Sequence, residues 1–228
     1  MLQALNLVLM LLLASTASAV TTKIVHVGQG GLKFVDEESQ TSTTTVDPGD
    51  TVEWVWEGNF PHSTTRDTAP ETWDSGVLRG AGTMFPHTFS IDGSYDYFCT
   101  PHRTLGMTGT VVVRAPTTPD AKLVVSGGRL TALQVAIDAA ASKGQKSFDK
   151  VVNKAAKDTQ DARTLLASGK KSQAKASLRH AIRGLITLRQ RLGSNTGRSR
   201  IKDDAVRTNL ITEAQKVKAD LQALLKST

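Results

Sequence analysis

Cysteine is almost absent from this chain: 228 residues contain one, Cys99. Alone, it has two plain readings, a buried apolar residue or an unpaired thiol that bonds to another chain. Long apolar runs are equally scarce. Leu7 to Ala14 is unbroken but far shorter than the roughly 20 residues a membrane span needs, and no second long run follows. Lys and Arg are missing from the first 19 residues, leaving the α-amino group as their positive charge. With Ala17-Ser18-Ala19 as a small-x-small cleavage site, residues 1–19 are expected to be a secretory signal peptide. The protein is then expected to be exported, to a periplasm, a cell envelope or the extracellular space, without a membrane span. No cysteine near the cleavage point could carry a lipid anchor there.

Acidic residues are scarce in only one part of the chain. Residues 20–119 hold 12 Asp and Glu against 6 Lys and Arg, a net −6, whereas residues 120–228 hold 9 against 22, a net +13. All three Trp, both Tyr and five of the six Phe precede residue 119. Arg114-Ala115-Pro116-Thr117-Thr118-Pro119 marks the change in composition. The expected organisation is a β + α two-domain chain: signal peptide 1–19, a β domain 20–115, a linker 116–128 and a basic helical domain 129–228.

The first part reads as strands. Lys23 to Val27 alternates, Thr41 to Val46 is β-branched, and Asp47-Pro48-Gly49-Asp50 is turn chemistry before Thr51 to Trp56. Met84 to Ser90, Ser94 to Phe98 and Thr108 to Arg114 complete the set, with Asp92-Gly93 as a turn. Short strands separated by turns over about 100 residues imply a sandwich of two sheets.

What the chain does contain is concentrated at Cys99-Thr100-Pro101-His102-Arg103-Thr104-Leu105-Gly106-Met107: a thiol, an imidazole and a thioether following a strand. Such a set suits copper, which cycles between a thiolate-loving lower state and an imidazole-loving upper one. A blue-copper site also needs a second histidine. His26 lies inside the first strand, His87 sits in Phe85-Pro86-His87-Thr88-Phe89, and His180 falls in a basic helical stretch, poor company for a cation. His62 follows the strand ending at Glu57 and the loop Gly58-Asn59-Phe60-Pro61, where a side chain can turn into a site. Zinc also binds Cys and His, but Met is a poor fourth ligand for it.

Asp47-Pro48-Gly49-Asp50-Thr51-Val52-Glu53-Trp54, Pro61-His62-Ser63, Gly93 to His102 and Gly106 to Val113 together resemble the plastocyanin and pseudoazurin branch of the cupredoxins. The resemblance covers about Lys23 to Arg114. It implies an eight-stranded Greek-key sandwich with one copper ion held by His62, Cys99, His102 and Met107, and with the solvent edge of His102 as the route for electrons. Ser63 departs from it, because many plastocyanins carry Asn there, tying the two ligand loops together. Phe60, Phe85, Phe98, Pro101 and Leu105 are expected, from proximity in sequence, to keep water from the site.

Other copper chemistry is excluded by what is missing. A binuclear electron-transfer site needs a second cysteine. Multicopper oxidases flank the corresponding cysteine with histidines, whereas Phe98 and Thr100 flank Cys99, and five histidines cannot build a trinuclear cluster as well. The expectation is a type 1 (blue) copper protein passing single electrons between a redox donor and acceptor, not an enzyme. A copper-binding and copper-delivery module tethered by its basic half is the alternative, and an adhesion protein with a relict site a third reading.

The second part reads as helices. Apolar stripes run through Leu130, Leu133, Ile137 and Ala140, then Phe148 to Leu166, then Ala174 to Leu192, then Leu210 to Leu224, with Gly127-Gly128 as a break before the first. Four such segments with short connections suggest an antiparallel bundle. Lys170, Lys171, Lys175, Arg179, Arg183, Arg189 and Arg191 cluster near the third helix, with Arg198, Arg200 and Lys202 in the following loop. A basic face of this kind is often simply solvated. It could also dock an anionic envelope polymer, a lipid headgroup or an acidic protein, including the sandwich of the same chain. No base-reading motif or aromatic platform accompanies it, so nucleic acid is not expected.

Overall fold

The computed structural model describes residues 20–141 and 146–228, so the expected signal peptide lies outside the described residues. Among the described residues nine strands form two sheets. One orders β2 (Phe34–Asp36), β1 (Thr22–Val27), β4 (Thr51–Trp56) and β7 (Met84–Thr88); the other orders β3 (Thr43–Val46), β9 (Thr108–Val113), β8 (Gly93–Phe98), β5 (Thr65–Arg66) and β6 (Trp73–Asp74). β1 runs parallel to β4 and β3 parallel to β9, and the remaining pairs are antiparallel. The three shortest strands, β2, β5 and β6, are the ones the sequence does not mark.

Alternation fixes which side chains enter the sandwich. Val52, Trp54 and Trp56 of β4 face inward, as do Tyr95 and Tyr97 of β8 and Val111 and Val113 of β9. Each large side chain so buried contributes on the order of 2–3 kcal/mol. Trp54 lies at the centre, its ring 5.5 Å from that of Trp73 and edge-on to Tyr97 at 5.4 Å. Most of the first part's aromatic content is therefore its core.

The helical part begins earlier than the sequence suggests. α1 spans Pro119–Ala140, capped by the Thr118 hydroxyl, which accepts from the Ala121 amide, so the stretch read as linker through residue 128 is helical from Pro119 onward. It also runs through Gly127-Gly128, and at Gly128 a neighbour needs the space. A Cβ on Gly128 would lie 2.6 Å from Cβ of Ser90 in the sandwich, so the missing side chain lets helix and sandwich touch.

α2 (Lys146–Ala167), α3 (Lys171–Gly193) and α5 (Asp204–Ser227) complete a four-helix arrangement in which α1 and α3 both pack on α2 and α5 and lie diagonally opposite one another. Leu130, Ile137, Phe148, Leu178, Leu185, Leu188, Val217 and Leu221 fill its core. The short α4 (Asn195–Arg200) replaces the expected loop and carries Arg198 and Arg200; the Ser194 hydroxyl caps it by accepting from the Gly197 amide. α1 is long and apolar enough to cross a membrane by length and composition, yet its Leu123, Leu130, Leu133 and Ile137 are buried in the bundle.

Candidate metal centre

β8 delivers Cys99 to one end of the sandwich. A 3-10 turn over Thr100–Leu105 follows, started by Pro101 and stopped by Gly106, whose φ of 82° suits a residue without a side chain. That reversal brings Met107 back beside Cys99. The Cys99 amide donates to the Met107 carbonyl at 3.0 Å, and the Met107 amide donates to the His102 carbonyl at 3.2 Å. Three donor side chains are thus fixed on one short, closed loop.

His62 arrives from a separate loop. Its amide donates to the Leu78 carbonyl (3.1 Å), the Leu78 amide returns a bond to the His62 carbonyl (2.8 Å), and the Trp56 indole N–H donates to the same carbonyl (3.3 Å). Nδ1 of His62 lies 3.6 Å from Sγ of Cys99, and Nδ1 of His102 lies 3.3 Å from that sulfur. The two imidazoles stand with centroids 4.8 Å apart, and one ligand atom from each of His62, Cys99 and His102 falls within 4.8 Å of the others. Cys99 and Met107 are fully buried and His62 nearly so, while His102 is half-buried.

Electrostatics here follow from burial. Removal from water pushes the Cys99 thiol up, opposed by hydrogen bonds from the Ser63 and His102 backbone. Burial, then the neighbouring His102, pushes His62 down, which favours the neutral ring that a metal needs. The Ser63 amide donates to Cys99 Sγ at 3.4 Å, and the Ser63 hydroxyl accepts from the Thr100 amide at 2.8 Å. Serine therefore joins the two ligand loops despite its departure from the asparagine many plastocyanins carry.

The other histidines stand apart. His26 Nδ1 pairs with Glu57 at 2.5 Å, His87 Nε2 lies 3.4 Å from Glu71 with its ring against Trp73, and His180 is exposed on α3. The expected hydrophobic shield differs from the observed one. Phe60 and Leu105 are 75% and 66% exposed and Pro101 is exposed as well, because they occupy loop tips that face outward. Phe98 alternates away from the inward Tyr97 and Cys99 and lies under the Arg103 guanidinium, 3.9 Å from its centroid. Phe85 packs on Trp54.

Gly28 is a residue the sequence reading passed over. It has a φ of 82°, and a Cβ there would lie 2.8 Å from Nε2 of His62, so its bare backbone supports the far side of the ring. The run Gly28-Gln29-Gly30-Gly31 was the available signal. Leu78, which pins the His62 backbone, carries no such mark.

Comparison with known proteins bears on the same segment. Residues 22–114 match the family described as copper binding proteins, plastocyanin/azurin family. The plastocyanin of Scenedesmus fuscus is 33% identical over 81 residues, covering 32% of this chain and 83% of that protein. The plastocyanin of Prochlorothrix hollandica is 32% identical over 110 residues, covering 46% of this chain and 81% of that protein. Among solved structures, a mutant plastocyanin of fern is 29% identical and covers 40% of this chain and 99% of its own, with a TM-score of 0.34. The family match includes His62, Cys99, His102 and Met107 and leaves α1–α5 outside it.

Proposed function

The chain belongs to the plastocyanin/azurin family of copper-binding proteins, and from that premise we propose that it is an exported one-electron carrier whose copper is held by His62, Cys99, His102 and Met107. Plastocyanin-like copper proteins carry electrons, and a thiol, two imidazoles and a thioether form a donor set that fits copper. The observation that carries the reading is the convergence of two histidine Nδ1 atoms, from separate loops, on one buried sulfur at 3.6 and 3.3 Å.

When bound, copper supplies the change of oxidation state that lets one electron be stored and released. The residues supply the rest. Cys99 gives up its proton to become a thiolate, and the Ser63 amide donates to the sulfur and favours that charge. Burial favours the neutral ring of His62, whose Nδ1 faces the sulfur. Met107, fully buried beside Cys99, is a weak thioether donor that tunes the potential. Hydrogen bonds within the Cys99–Met107 loop, and across it to Ser63, oppose rearrangement between oxidation states. Four side-chain donors leave no open position for a substrate, which favours a carrier over a catalyst.

The half-buried ring of His102 is the proposed point of electron entry and exit, toward redox proteins acting as donor and acceptor. Buried sulfur and interlocked loops favour a retained metal over copper delivery. Export rests on residues 1–19. Copper titration followed by visible absorption tests the central assignment.

A further inference from the structure

We propose that the groove between α3 and α5 binds the headgroups of anionic phospholipids and holds the protein at a membrane surface. This goes beyond the copper reading and does not depend on it. Residues 164–202 contain ten Lys and Arg and no Asp or Glu. On α2, by contrast, two lysines are matched by an aspartate one turn later, in Lys154–Asp158 and Lys157–Asp161. Arg179 and Arg183, one turn apart on α3, repel each other and have no acidic partner among the described residues. Lys226 of α5 likewise has none, and all three are exposed. An anion seated among them relieves that repulsion.

The shape of the groove chooses the kind of anion. Arg179, Arg183 and Lys226 line an open groove of about 330 Å³ together with Ile182, Leu225 and Gln222. Cations beside apolar side chains fit an amphiphile, with phosphate on the guanidinium and ammonium groups and the glycerol and first methylenes on Ile182 and Leu225. A polyanion without apolar parts leaves that floor unused. Bases have nothing to stack on, since no Trp or Tyr follows residue 119 and Phe148 is buried.

Placement in the fold agrees with this. α1 is the helix that meets the sandwich: Val124 lies against Gly49, Gly128 against Ser90 and Ile91, and Arg129 binds Asp92. α3 lies diagonally across the bundle from α1. The contacts at Ser90 to Asp92 also lie at the start of β8, whereas Cys99 follows its far end, about 20 Å away. A membrane against α3 therefore leaves the metal pocket uncovered for redox partners.

The test is sedimentation of the full chain with vesicles of phosphatidylcholine, or of an equal mixture of phosphatidylcholine and phosphatidylglycerol, beside binding to poly-L-glutamate. The proposal expects salt-sensitive binding to the mixed vesicles and little to phosphatidylcholine alone. The combined variant Arg179→Gln, Arg183→Gln, Lys226→Gln, with circular dichroism unchanged, should bind on the order of 100-fold more weakly. Arg198→Gln, outside the groove, should bind almost as the parent does. Leu225→Gln should weaken vesicle binding and leave poly-L-glutamate binding unaltered. Equal binding to both vesicle types, binding to neither, or a triple variant that binds like the parent would overturn the proposal. So would poly-L-glutamate binding as tight as vesicle binding with no effect of Leu225→Gln, which would assign the groove to an acidic protein or polymer.

Discussion

Ser63 and Thr100, 37 positions apart, lock the two ligand loops together: the Thr100 amide donates to the Ser63 hydroxyl at 2.8 Å, and that hydroxyl lies 3.0 Å from Oγ1 of Thr100. Each residue stands next to a proposed ligand. Ser63→Ala leaves a part-buried amide without its acceptor, a loss of about 1–2 kcal/mol. Denaturant unfolding of the metal-free protein should show that loss. Copper should also leave the variant faster in a chelator competition, since the loops would no longer be fixed to each other.

Gly28 makes a second test of preorganisation. Gly28→Ala puts a Cβ into the space held by Nε2 of His62 and strains a residue at φ 82°. Gly31→Ala is the control, because Gly31 also has a positive φ (127°) but nothing within 4 Å of its Cβ position. Each substitution should cost roughly 1–2 kcal/mol of backbone strain. Copper affinity should fall only in Gly28→Ala, as measured by titration against a competing chelator.

The pH dependence of the metal-free protein follows from His62 and Cys99. His62 is pushed below its ordinary 6.5, so below that value the unfolded chain binds more protons than the folded one and stability falls as pH falls. Cys99 is pushed above its ordinary 9.0, so above that value the unfolded chain loses its proton first and stability falls as pH rises. Midpoints of denaturant unfolding should therefore pass through a maximum between these values. His62→Gln should remove the acid-side contribution and Cys99→Ser the alkaline one. Copper binding at neutral pH should release the Cys99 proton, visible as a buffer-dependent heat in calorimetry.

Arg129 joins the two parts of the chain, binding Asp92 of the sandwich at 2.9 Å and Asp220 of α5 at 3.0 Å. The groups are partly solvated, so each pair contributes no more than about 1 kcal/mol. Arg129→Gln should nonetheless loosen the contact, since Asp220, raised mainly by burial, loses the charge that lowers it. Scanning calorimetry should show a sandwich transition and a helical transition further apart than in the parent, with the visible spectrum of the copper-loaded protein unaltered.

The cluster of His62, Cys99 and His102 was legible because each residue sits where a local signal placed it: Cys99 and His102 at fixed spacing after a strand, with the proposed ligand Met107 beyond them, and His62 just past a strand. Six of the strands were legible from alternation, β-branched runs and the turn residues between them. What was not legible depends on partners distant in sequence. Gly127-Gly128 reads locally as a helix break, yet the helix runs through it, and the nearness of Ser90, distant in sequence, explains why Gly128 carries no side chain. Phe60 and Leu105 look like shielding residues beside the site, yet both are exposed, while Cys99 and Met107 are buried together in the core cluster of the sandwich. The supporting role of Gly28 was hidden because a glycine's value lies in an atom it lacks.

The central claim is that Cys99 Sγ binds copper together with His62 and His102 Nδ1, and visible absorption during titration of the metal-free protein with copper(II) tests it most directly. The account predicts an intense thiolate-to-copper charge-transfer band that saturates at one equivalent, disappears on reduction, and is absent in Cys99→Ser. A folded protein that shows no such band, or a band that persists undiminished in Cys99→Ser, would contradict it.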